Sequence, residues 1–375
     1  MRIGIVLYPT FGGSGVLATE LGKALSKTGN EVHFISYNQP ARLDFFMENI
    51  FFHEVIIPQY PLFEHAPYET ALAGKIVEIV KSARLEVLHV HYAIPHASAA
   101  LLAKQILLEQ NIKIPVVTTL HGTDITLVGR EASYEPVVSW SINNSDAVTA
   151  VSESLKSDTL EHFKIRRGII VIPNFIDFER FNKKPREHFK KAIAPNGEKI
   201  LVHTSNFRKV KRVGDVIQIF NLVQKEIPSK LLLIGDGPER SNIEKICRDL
   251  DVCEKVTFLG KQEAIEEILS VCDLFILPSE KESFGLSALE AMACEVPVIC
   301  SNAGGLSEVV VDGVTGYLSE TGDIEKMAKD SLSILTNDEK LFDFRKNALE
   351  RAKNFDLKNI LSLYYSVYQD VVLDK

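Results

Sequence analysis

Short apolar runs alternate with longer amphipathic stretches along almost the whole of this 375-residue chain. The apolar runs have the length of β-strands, and apolar residues recur at helical spacing in the stretches between them. This alternation is typical of βαβ units around a parallel sheet. The predicted strands are residues 2–8, 31–36, 50–57, 86–91, 115–120, 146–151, 169–172, 199–205, 230–235, 255–260, 273–278, 296–300 and 315–318. The predicted helices are residues 15–28, 67–84, 96–110, 153–163, 211–226, 239–251, 284–294, 323–335 and 357–373.

The alternation is interrupted once, near Pro173, and residues 178–198 are charged and irregular. A chain of this length is too long for one ordinary hydrophobic core. We therefore predict an α/β protein with two Rossmann-like domains, residues 1–172 and residues 173–356. Open α/β sheets bind ligands at the carboxyl ends of their strands, so the two domains are expected to face each other across a cleft. The last segment, residues 357–375, is predicted to be a helix that crosses back to the first domain.

The net charge, the length of the apolar runs and the cysteines indicate which partners and which compartment to expect. A net charge of −8 disfavours nucleic acid and anionic membranes as partners. No apolar run approaches the ~20 residues needed to span a bilayer. The first eight residues are interpreted as a buried strand and not as a signal peptide. The five cysteines form no Cys-x-x-Cys pair, so we expect reduced thiols in a cytoplasmic protein.

A glycine-rich loop follows the first predicted strand. Gly13, Gly15 and Ala18 fit the dinucleotide-binding pattern G-x-G-x-x-G/A. An NAD site would also need an acidic residue at the end of the second strand, and residues 36–38 contain none. The loop is therefore interpreted as one that lets a diphosphate or an acceptor carboxylate approach a helix N-terminus, with Ser14 as a donor. A tight turn with a purely structural role is the alternative.

Polar side chains also follow two later strands of the first half. His89 and His91 share a strand face, and Tyr92 and His96 come after them. No nearby carboxylate completes a metal site, so we predict no metal there and interpret Tyr92 as a donor in the cleft. His121, at the end of the next strand, is a site candidate, and a structural, hydrogen-bonded histidine is the alternative.

Four cations lie within residues 208–212, at the start of a predicted helix of the second half. Cations at a helix N-terminus oppose the helix dipole, so this cluster suggests a bound anion, and a solvated helix start is the alternative. Two glycine-containing turns, residues 235–238 and 260–262, follow the next two strands, and either could hold a flat nucleobase. The glycines within residues 304–305 and 313–316 are interpreted as turns.

Two glutamates, Glu282 and Glu290, lie eight positions apart around a predicted helix start. We predict a strand that ends near Leu277, a loop that carries Glu282, and a helix that opens near Phe284 with Glu290 two turns in. The N–H groups of the opening turn would bind a phosphate, and the two carboxylates would bind sugar hydroxyls beside it. The alternative is an amphipathic helix that begins and ends in glutamate by coincidence.

These motifs occur together, in this order, over essentially the whole chain. In combination they resemble the retaining nucleotide-sugar glycosyltransferases of the GT-B type, which have two Rossmann domains. Within that family the chain is most similar to the N-acetylglucosaminyl L-malate synthases of bacillithiol biosynthesis. The resemblance is carried by Tyr8-Pro9 with the glycine loop at residues 12–15, and by residues 91–97, 118–124, 205–212 and 279–285.

The resemblance implies two small-molecule partners, the donor UDP-N-acetylglucosamine and the acceptor L-malate, with no cofactor and no metal. It assigns the nucleotide sugar to the second domain and the acceptor to the first. The catalytic residues would be Lys211, His121 and Glu282. The nucleotide sugar would be bound by Gly13, Arg208, Gly237, Lys261, Gln262, Ser283, Phe284, Gly285, Leu286 and Glu290. The acceptor would be bound by Ser14, Tyr92, Thr119, Asn206 and Arg42.

One departure from the family pattern concerns the diphosphate. Many members carry an arginine five residues before the phosphate-binding lysine, and here that position is Asn206. Either Lys211 then carries more of the interaction, or Arg208 compensates. The cation that pairs with the carboxylates of malate is not defined by the motifs, and Arg42 is the candidate.

The resemblance also fits a metal-independent reaction. No Asp-x-Asp pair occurs in the relevant loops, and Lys211 with a helix dipole could stabilise the leaving UDP. Retention without a well-placed carboxylate nucleophile leads to the hypothesis of front-face attack, in which the leaving phosphate oxygen takes the acceptor proton.

The sequence is also compatible with other functions. A glycosyltransferase with a lipid or polysaccharide acceptor would share the donor motifs and should expose a basic and hydrophobic face. A nucleotide-sugar epimerase would share the architecture and release UDP without an acceptor. A dinucleotide oxidoreductase is disfavoured by the missing ribose carboxylate, and a non-catalytic sugar-binding protein would normally need an export signal. The sequence is compatible with a homodimer.

Overall fold

The computed structural model describes residues 1–10, 12–44, 46–57, 65–184 and 186–373. The chain forms two compact units: unit 1 is Met1–Asn174 with Leu357–Lys375, and unit 2 is Phe175–Asp356. The boundary predicted from the sequence lies two residues earlier. Residues 374 and 375, which the sequence prediction includes in the last helix, lie outside the described residues.

Unit 1 is built on a seven-stranded sheet in which every neighbouring pair is parallel. The strands are β1 (Arg2–Val6), β2 (Glu31–Ser36), β3 (Ile50–Glu54), β4 (Val87–His91), β5 (Val116–Leu120), β6 (Ala147–Ala150) and β7 (Ile169–Val171). Every residue of β4, β5 and β6 is buried, as expected for strands covered on both faces. Their order is β3-β2-β1-β4-β5-β6-β7, which reverses between β1 and β4 and places the topological switch point there.

Helices lie between most of these strands in the chain. They are α1 (Gly13–Lys27), α2 (Tyr68–Ala83), α3 (Ser98–Leu108), α4 (Glu135–Asn144) and α5 (Glu153–His162). In α1 the side chains of Leu17, Leu21 and Leu25 recur every four residues and are buried, so this stripe packs on the unit's core. The helix ends before Gly29, whose φ of 86° is the left-handed conformation that terminates many helices.

Unit 2 repeats the architecture on a six-stranded parallel sheet in the order β10-β9-β8-β11-β12-β13. Its strands are β8 (Lys199–Thr204), β9 (Ser229–Ile234), β10 (Val256–Gly260), β11 (Leu274–Leu277), β12 (Val298–Ser301) and β13 (Gly316–Ser319). Its helices are α6 (Glu187–Ile193), α7 (Val213–Glu226), α8 (Arg240–Asp249), α9 (Ile265–Leu269), α10 (Leu286–Ala293), α11 (Leu306–Val309), α12 (Ile324–Leu335) and α13 (Asp338–Ala352).

The core of unit 2 joins its sheet to α7 and α12. Phe220 and Val216 of α7 are fully buried in one cluster with Leu201 of β8 and Ile334 of α12. Full burial of one such side chain contributes about 1.5–3 kcal/mol. Two helices are thus fixed to the strands that carry the site.

The C-terminal helix, α14 (Leu357–Leu373), belongs to unit 1. Tyr368 is fully buried, and its hydroxyl lies 2.7 Å from His89 Nδ1 on β4. The Tyr365 hydroxyl lies 2.6 Å from Thr28 Oγ1 at the end of α1. The prediction that the last segment returns to the first domain is confirmed.

Several helices were not predicted. The region described as irregular, residues 178–198, contains α6, a helix of seven residues that buries no side chain. The segments α9 and α11 have five and four residues, too few for a periodic signal. Helices α4 and α13 were also missed, although α13 carries a buried stripe of Leu341, Phe344 and Ala348. No helix in the described ranges is long and apolar enough to cross a membrane.

Candidate active site

The N-terminus of α1 lies directly after β1 and is open. Its N-cap is Gly12, no side chain caps the helix, and no acidic residue lies in the first turn. The N–H groups of that turn can therefore bind an anion. A Cβ on Gly15 would lie 2.5 Å from the Tyr8 carbonyl oxygen, so glycine is needed for the helix to start this close to the strand. The loop thus has a structural role and also presents Gly13 at an exposed helix start.

Ser14, Tyr92 and His121 lie together at the carboxyl ends of β1, β4 and β5. Ser14 Oγ and the Tyr92 hydroxyl are hydrogen-bonded at 2.5 Å. The rings of Tyr92 and His121 are 5.1 Å apart, and His121 Nε2 lies 2.8 Å from His91 Nδ1. Three residues predicted from separate motifs therefore form one cluster, which we call the unit 1 cluster.

The histidines around this cluster are neutral near pH 7. Burial lowers the pKa of His121 to about 3, and the nearby His96 lowers it further. Burial also lowers the pKa of His96 to about 4 and that of His91 well below its usual value. His121 can therefore offer a hydrogen bond to a ligand but no positive charge.

Thr119 is a correction to the predicted acceptor site. Its side chain is completely buried, and its hydroxyl lies 2.6 Å from His89 Nε2 and 2.7 Å from Thr149 Oγ1. The prediction that this side chain faces the acceptor is wrong. With Tyr368 on its other nitrogen, His89 has both ring nitrogens occupied by hydroxyls and is a core residue.

Arg42 lies in the loop after β2, half-buried, with a left-handed φ of 65°. Its carbonyl oxygen accepts a hydrogen bond of 3.2 Å from Lys23 Nζ. A group with the spacing of metal ligands, Asp158, Glu161 and His162, lies on α5 and contains no predicted site residue.

The two catalytic candidates of unit 2 are in direct contact. Lys211, in a 3-10 turn after β8, places Nζ 2.5 Å from Oε1 of Glu282, in the loop after β11. The Ser279 hydroxyl donates a hydrogen bond of 3.0 Å to the same oxygen. The N–H of Glu280 donates to the carbonyl of Val210 at 2.8 Å, which fixes one loop to the other. We call Lys211 and Glu282 the unit 2 ion pair.

The other cations of this loop have different surroundings. Arg212 Nε donates to Asp215 Oδ2 at 2.7 Å, so Arg212 and Lys211 each form an ion pair with a carboxylate of the protein. These ion pairs reduce the conflict with the helix dipole without a ligand, and the anion site suggested by the cation cluster stays a prediction. Arg208 is exposed, and its guanidinium forms no ion pair with any residue of the described ranges.

Helix α10 begins later than predicted. Its N-cap is Gly285, with φ of 95°, and no side chain caps it. Glu290 is the fifth residue of the helix, so it lies about one turn in and not two, and it is 7% exposed. Phe284 is buried with its ring 5.6 Å from that of Phe355, so its side chain is a core group. Ser283 and Leu286 are partly exposed beside it.

Gly304 and Gly305, which follow β12, pack against the backbone of the loop that carries Glu282. A Cβ on Gly304, whose φ is 56°, would lie 2.0 Å from the carbonyl oxygen of Glu282. The N–H of Gly305 donates to that oxygen at 2.9 Å. The interpretation of residues 304–305 as turns alone is therefore incomplete.

We expect Gly304→Ala to disturb the unit 2 ion pair through this contact. The left-handed strain should cost about 1 kcal/mol, and the clash should cost a further 1–3 kcal/mol. Turnover should also fall, because the Glu282 loop must move. Gly313→Ala is the matched control, since Gly313 has a φ of 71° and no atom within 4 Å of an added Cβ. Urea unfolding and the turnover rate measure both effects, and equal losses in the two variants would refute the role of the contact.

The glycine turn after β9 packs on the loop that carries Asn206. A Cβ on Gly237 would lie 2.0 Å from the Asn206 carbonyl oxygen, and one on Gly235 would lie 1.8 Å from that of Ser205. Asn206 itself is exposed, as are Lys261 and Gln262 after β10. The turn therefore has a packing function in addition to any contact with a ligand.

The predicted nucleotide-sugar residues of unit 2 follow the order of the strands. From β10 to β11 the strand ends carry Lys261, Gly237, Lys211 and Glu282 in turn. Neighbouring strands are about 4.8 Å apart, so three steps span ~14 Å. This length suits an extended nucleotide sugar with its base at β10 and its sugar at β11.

His203 is a buried residue near this edge that the motifs did not indicate. Its Nδ1 donates to the Ile276 carbonyl at 2.8 Å, so Nε2 accepts from the Ser205 hydroxyl, also at 2.8 Å. Burial lowers its pKa to about 4, which keeps the ring neutral. A histidine within an apolar strand is the sequence signal that could have indicated this residue.

Comparison with known proteins identifies the family. Residues 11–180 match the family model described as Glycosyltransferase Family 4, and residues 184–351 match that described as Glycosyl transferases group 1. N-acetyl-alpha-D-glucosaminyl L-malate synthase of Bacillus anthracis is 46% identical over 380 aligned positions, which cover 100% of this chain and 98% of that protein.

Solved structures agree on the fold. Sucrose-phosphate synthase from Thermosynechococcus elongatus superposes with a TM-score of 0.81 at 20% identity and full coverage of both chains. Anabaena HepE, solved in complex with UDP and glucose, gives a TM-score of 0.83 at 20% identity, over 98% of this chain and 99% of that one. The resemblance stated from the motifs is confirmed. This chain therefore belongs to the group 1, GT-B glycosyltransferases, in the family of the Bacillus anthracis N-acetyl-alpha-D-glucosaminyl L-malate synthase.

Proposed function

We propose that this enzyme transfers N-acetylglucosamine from UDP-N-acetylglucosamine to the hydroxyl of L-malate, with retention of configuration at the anomeric carbon. The observation that carries the proposal is the 46% identity, along the full length, to an enzyme whose name states this sugar and this acceptor. An epimerase or an oxidoreductase is not favoured by these relatives.

The donor is proposed to lie along the carboxyl ends of β10, β9, β8 and β11. Backbone groups at Lys261 and Gln262 would take the uracil, and Glu290 would take the ribose hydroxyls. The open N-terminus of α10 and Lys211 would hold the diphosphate, since both present positive potential. The bound UDP in the HepE structure supports a donor of this class.

The chemistry proposed for unit 2 is stabilisation of a departing diphosphate. As the glycosidic bond breaks, negative charge develops on the UDP oxygen, and Lys211 meets it with a fixed ammonium. Glu282 holds that ammonium in place through the 2.5 Å contact and offers its second carboxylate oxygen to sugar hydroxyls. In front-face attack the departing phosphate oxygen would then take the proton of the acceptor hydroxyl.

The acceptor is proposed to bind at the unit 1 cluster. The open first turn of α1 and the Ser14–Tyr92 pair offer neutral donors for a carboxylate. The neutral His121 would accept or donate a hydrogen bond to the transferred sugar. The acceptor contacts of Arg42 and Asn206 stay predictions, and Arg42 is the cationic candidate for a second carboxylate.

The remaining predictions concern location and assembly. The five cysteines carry free thiols, which supports a reducing compartment such as the cytoplasm. A homodimer stays a prediction that sedimentation of the purified enzyme would test.

The proposed reaction can be tested by UDP release from UDP-N-acetylglucosamine with a panel of acceptors. We expect release that depends on L-malate, because the proposed acceptor site suits a small hydroxy acid. D-malate, succinate and glycerol are matched controls that change the stereocentre, the hydroxyl or the carboxylates. Release without an acceptor, or only with a diacylglycerol or a glucan, would contradict the proposal.

A further inference from the structure

One buried carboxylate joins the loops that follow β4 and β5. Asp124 is 3% exposed. Its Oδ2 accepts a hydrogen bond of 2.8 Å from the Ala93 N–H, and its Oδ1 accepts one of 3.1 Å from the Gly122 N–H. No lysine or arginine of the described ranges pairs with it, so backbone donors alone hold this charge in one place.

The two N–H groups lie next to residues of the unit 1 cluster. Ala93 follows Tyr92, and Gly122 follows His121. Tyr92 has a φ of 86°, a conformation that residues with side chains rarely adopt. Its own N–H donates to the Thr119 carbonyl at 2.9 Å. The strained residue is thus fixed on both sides, and in this conformation its hydroxyl reaches Ser14.

We propose that Asp124 is a positioning residue for the acceptor: its carboxylate sets the distance between the Tyr92 and His121 loops and thereby the geometry in which the hydroxy acid is held. This inference rests on the proposed function. Asp124 touches neither reactant in it and acts through Tyr92 and His121. A displacement of about 1 Å in such a site can reduce the rate on the order of 10²-fold.

The titration of Asp124 offers a readout that a purely structural residue would not give. Burial raises its pKa to about 6, and backbone hydrogen bonds oppose this shift without cancelling it. Tyr8 interacts with it electrostatically, and the titratable groups of the unit 1 cluster and its surroundings are His91, His96 and His121. The pKa values of the histidines are lowered, to about 4 or less for His96 and His121, and burial raises that of Tyr8 to about 12. Between pH 5.5 and 8, Asp124 is the group of this set that changes charge.

The test compares Asp124→Asn with Asp146→Asn. Asp146 is also a carboxylate that accepts a backbone hydrogen bond, from the Val116 N–H at 2.7 Å, and it lies at the opposite, amino end of the same sheet. The asparagine at 124 presents an NH₂ group to one of the two N–H donors, so one loop is released. We expect the KM for L-malate to rise at least about tenfold in Asp124→Asn, with the KM for UDP-N-acetylglucosamine within about twofold of the wild-type value.

The pH dependence of KM and amide hydrogen exchange test the role of Asp124 further. The wild-type KM for L-malate should rise as the pH falls through 6, and Asp146→Asn, which shares any effect of malate ionisation, should follow the same curve. In Asp124→Asn the part of this rise that comes from protonation of Asp124 should be absent. Amide hydrogen exchange at Ala93 and Gly122 should accelerate in Asp124→Asn and not in Asp146→Asn, with or without substrate.

The outcomes separate the inference from the proposed function. If the wild-type enzyme does not use L-malate, the proposed function is wrong. Amide hydrogen exchange at Ala93 and Gly122 then still tests whether Asp124 holds the two loops in place. A wild-type enzyme that uses L-malate overturns the inference if Asp124→Asn matches Asp146→Asn in KM, pH profile and exchange. If Asp124→Asn does not fold, a wild-type KM for L-malate that stays constant from pH 8 to 5.5 overturns it.

Discussion

Lys211→Ala is expected to lower the turnover number by about 10²–10³-fold, the usual loss when one group that stabilises developing charge is removed. Two effects act in the same direction. The variant lacks the ammonium proposed to meet the departing diphosphate, and it would expose that diphosphate to the unpaired carboxylate of Glu282, whose side chain is 11% exposed. Steady-state rates at saturating substrate measure the loss, and circular dichroism confirms that the sheet structure is retained.

Removal of the Glu282 charge is the control for the loss of Lys211. In the double variant Lys211→Ala with Glu282→Gln, UDP should bind more tightly than to Lys211→Ala alone, because the repelling charge is gone. Lys209→Ala, a neighbouring exposed cation in the same turn, should change turnover little. Turnover within a few-fold of the wild-type value in Lys211→Ala would remove Lys211 from the mechanism.

Unit 1 is expected to lose stability in mild acid much faster than unit 2. Burial lowers the pKa of His89 and His121 to about 3 and that of His96 to about 4, and it also lowers the pKa of His91. In the unfolded chain a histidine titrates near 6.5. From pH 6.5 down to about 4, the unfolded state therefore binds protons that the folded state does not, and the free energy of unfolding falls with the pH.

The size of this effect follows from counting protons. Asp124 acts in the opposite sense, because its raised pKa of about 6 lets the folded state keep a proton that the unfolded state loses between pH 6 and about 4. The half-buried His53, whose pKa burial lowers to about 4, acts with the four histidines. Five histidines less one aspartate leave four net protons, at most about 5.5 kcal/mol per pH unit, and less if solvent screens His53. Unit 2 has His203, with a pKa of about 4, and should change by about 1.4 kcal/mol per pH unit.

The chain offers a reporter for this acid effect. Trp140, the single tryptophan, lies on α4 of unit 1, so its fluorescence in urea titrations follows that unit. His89→Gln should reduce the pH slope by about one proton, and His162→Gln, at an exposed position on α5, serves as the matched control. An unfolding free energy from Trp140 that is equal at pH 7 and pH 5 would show that these imidazoles are not held neutral by the fold.

Local patterns in the sequence predicted where strands end and which motifs follow them. Apolar runs end where strands end, so the motifs after β1, β4, β5 and β8 were placed correctly. Such local patterns could not predict the contact between Lys211 and Glu282. The two residues are 71 positions apart in the chain and come together because β8 and β11 are neighbouring strands. A polar residue at a strand end, such as Thr119, looks the same in sequence whether it faces a ligand or a buried histidine.

The same limit explains the supporting residues that were missed. Gly304 was interpreted as a turn because its contact, the carbonyl of Glu282, comes from another loop. Asp124 was part of a quoted motif, but its bond to Ala93 depends on how the β4 and β5 loops approach each other. Helix α13 is different, since its apolar spacing was visible in the sequence and was overlooked.

The central claim concerns the bond that this enzyme makes, and identification of its product tests that claim most directly. Purified enzyme with UDP-N-acetylglucosamine and L-malate should yield one new compound, whose mass and NMR spectrum show N-acetylglucosamine α-linked to the malate hydroxyl. A β-linked product, a free sugar formed at the same rate without malate, or no product despite bound UDP-N-acetylglucosamine would contradict the account.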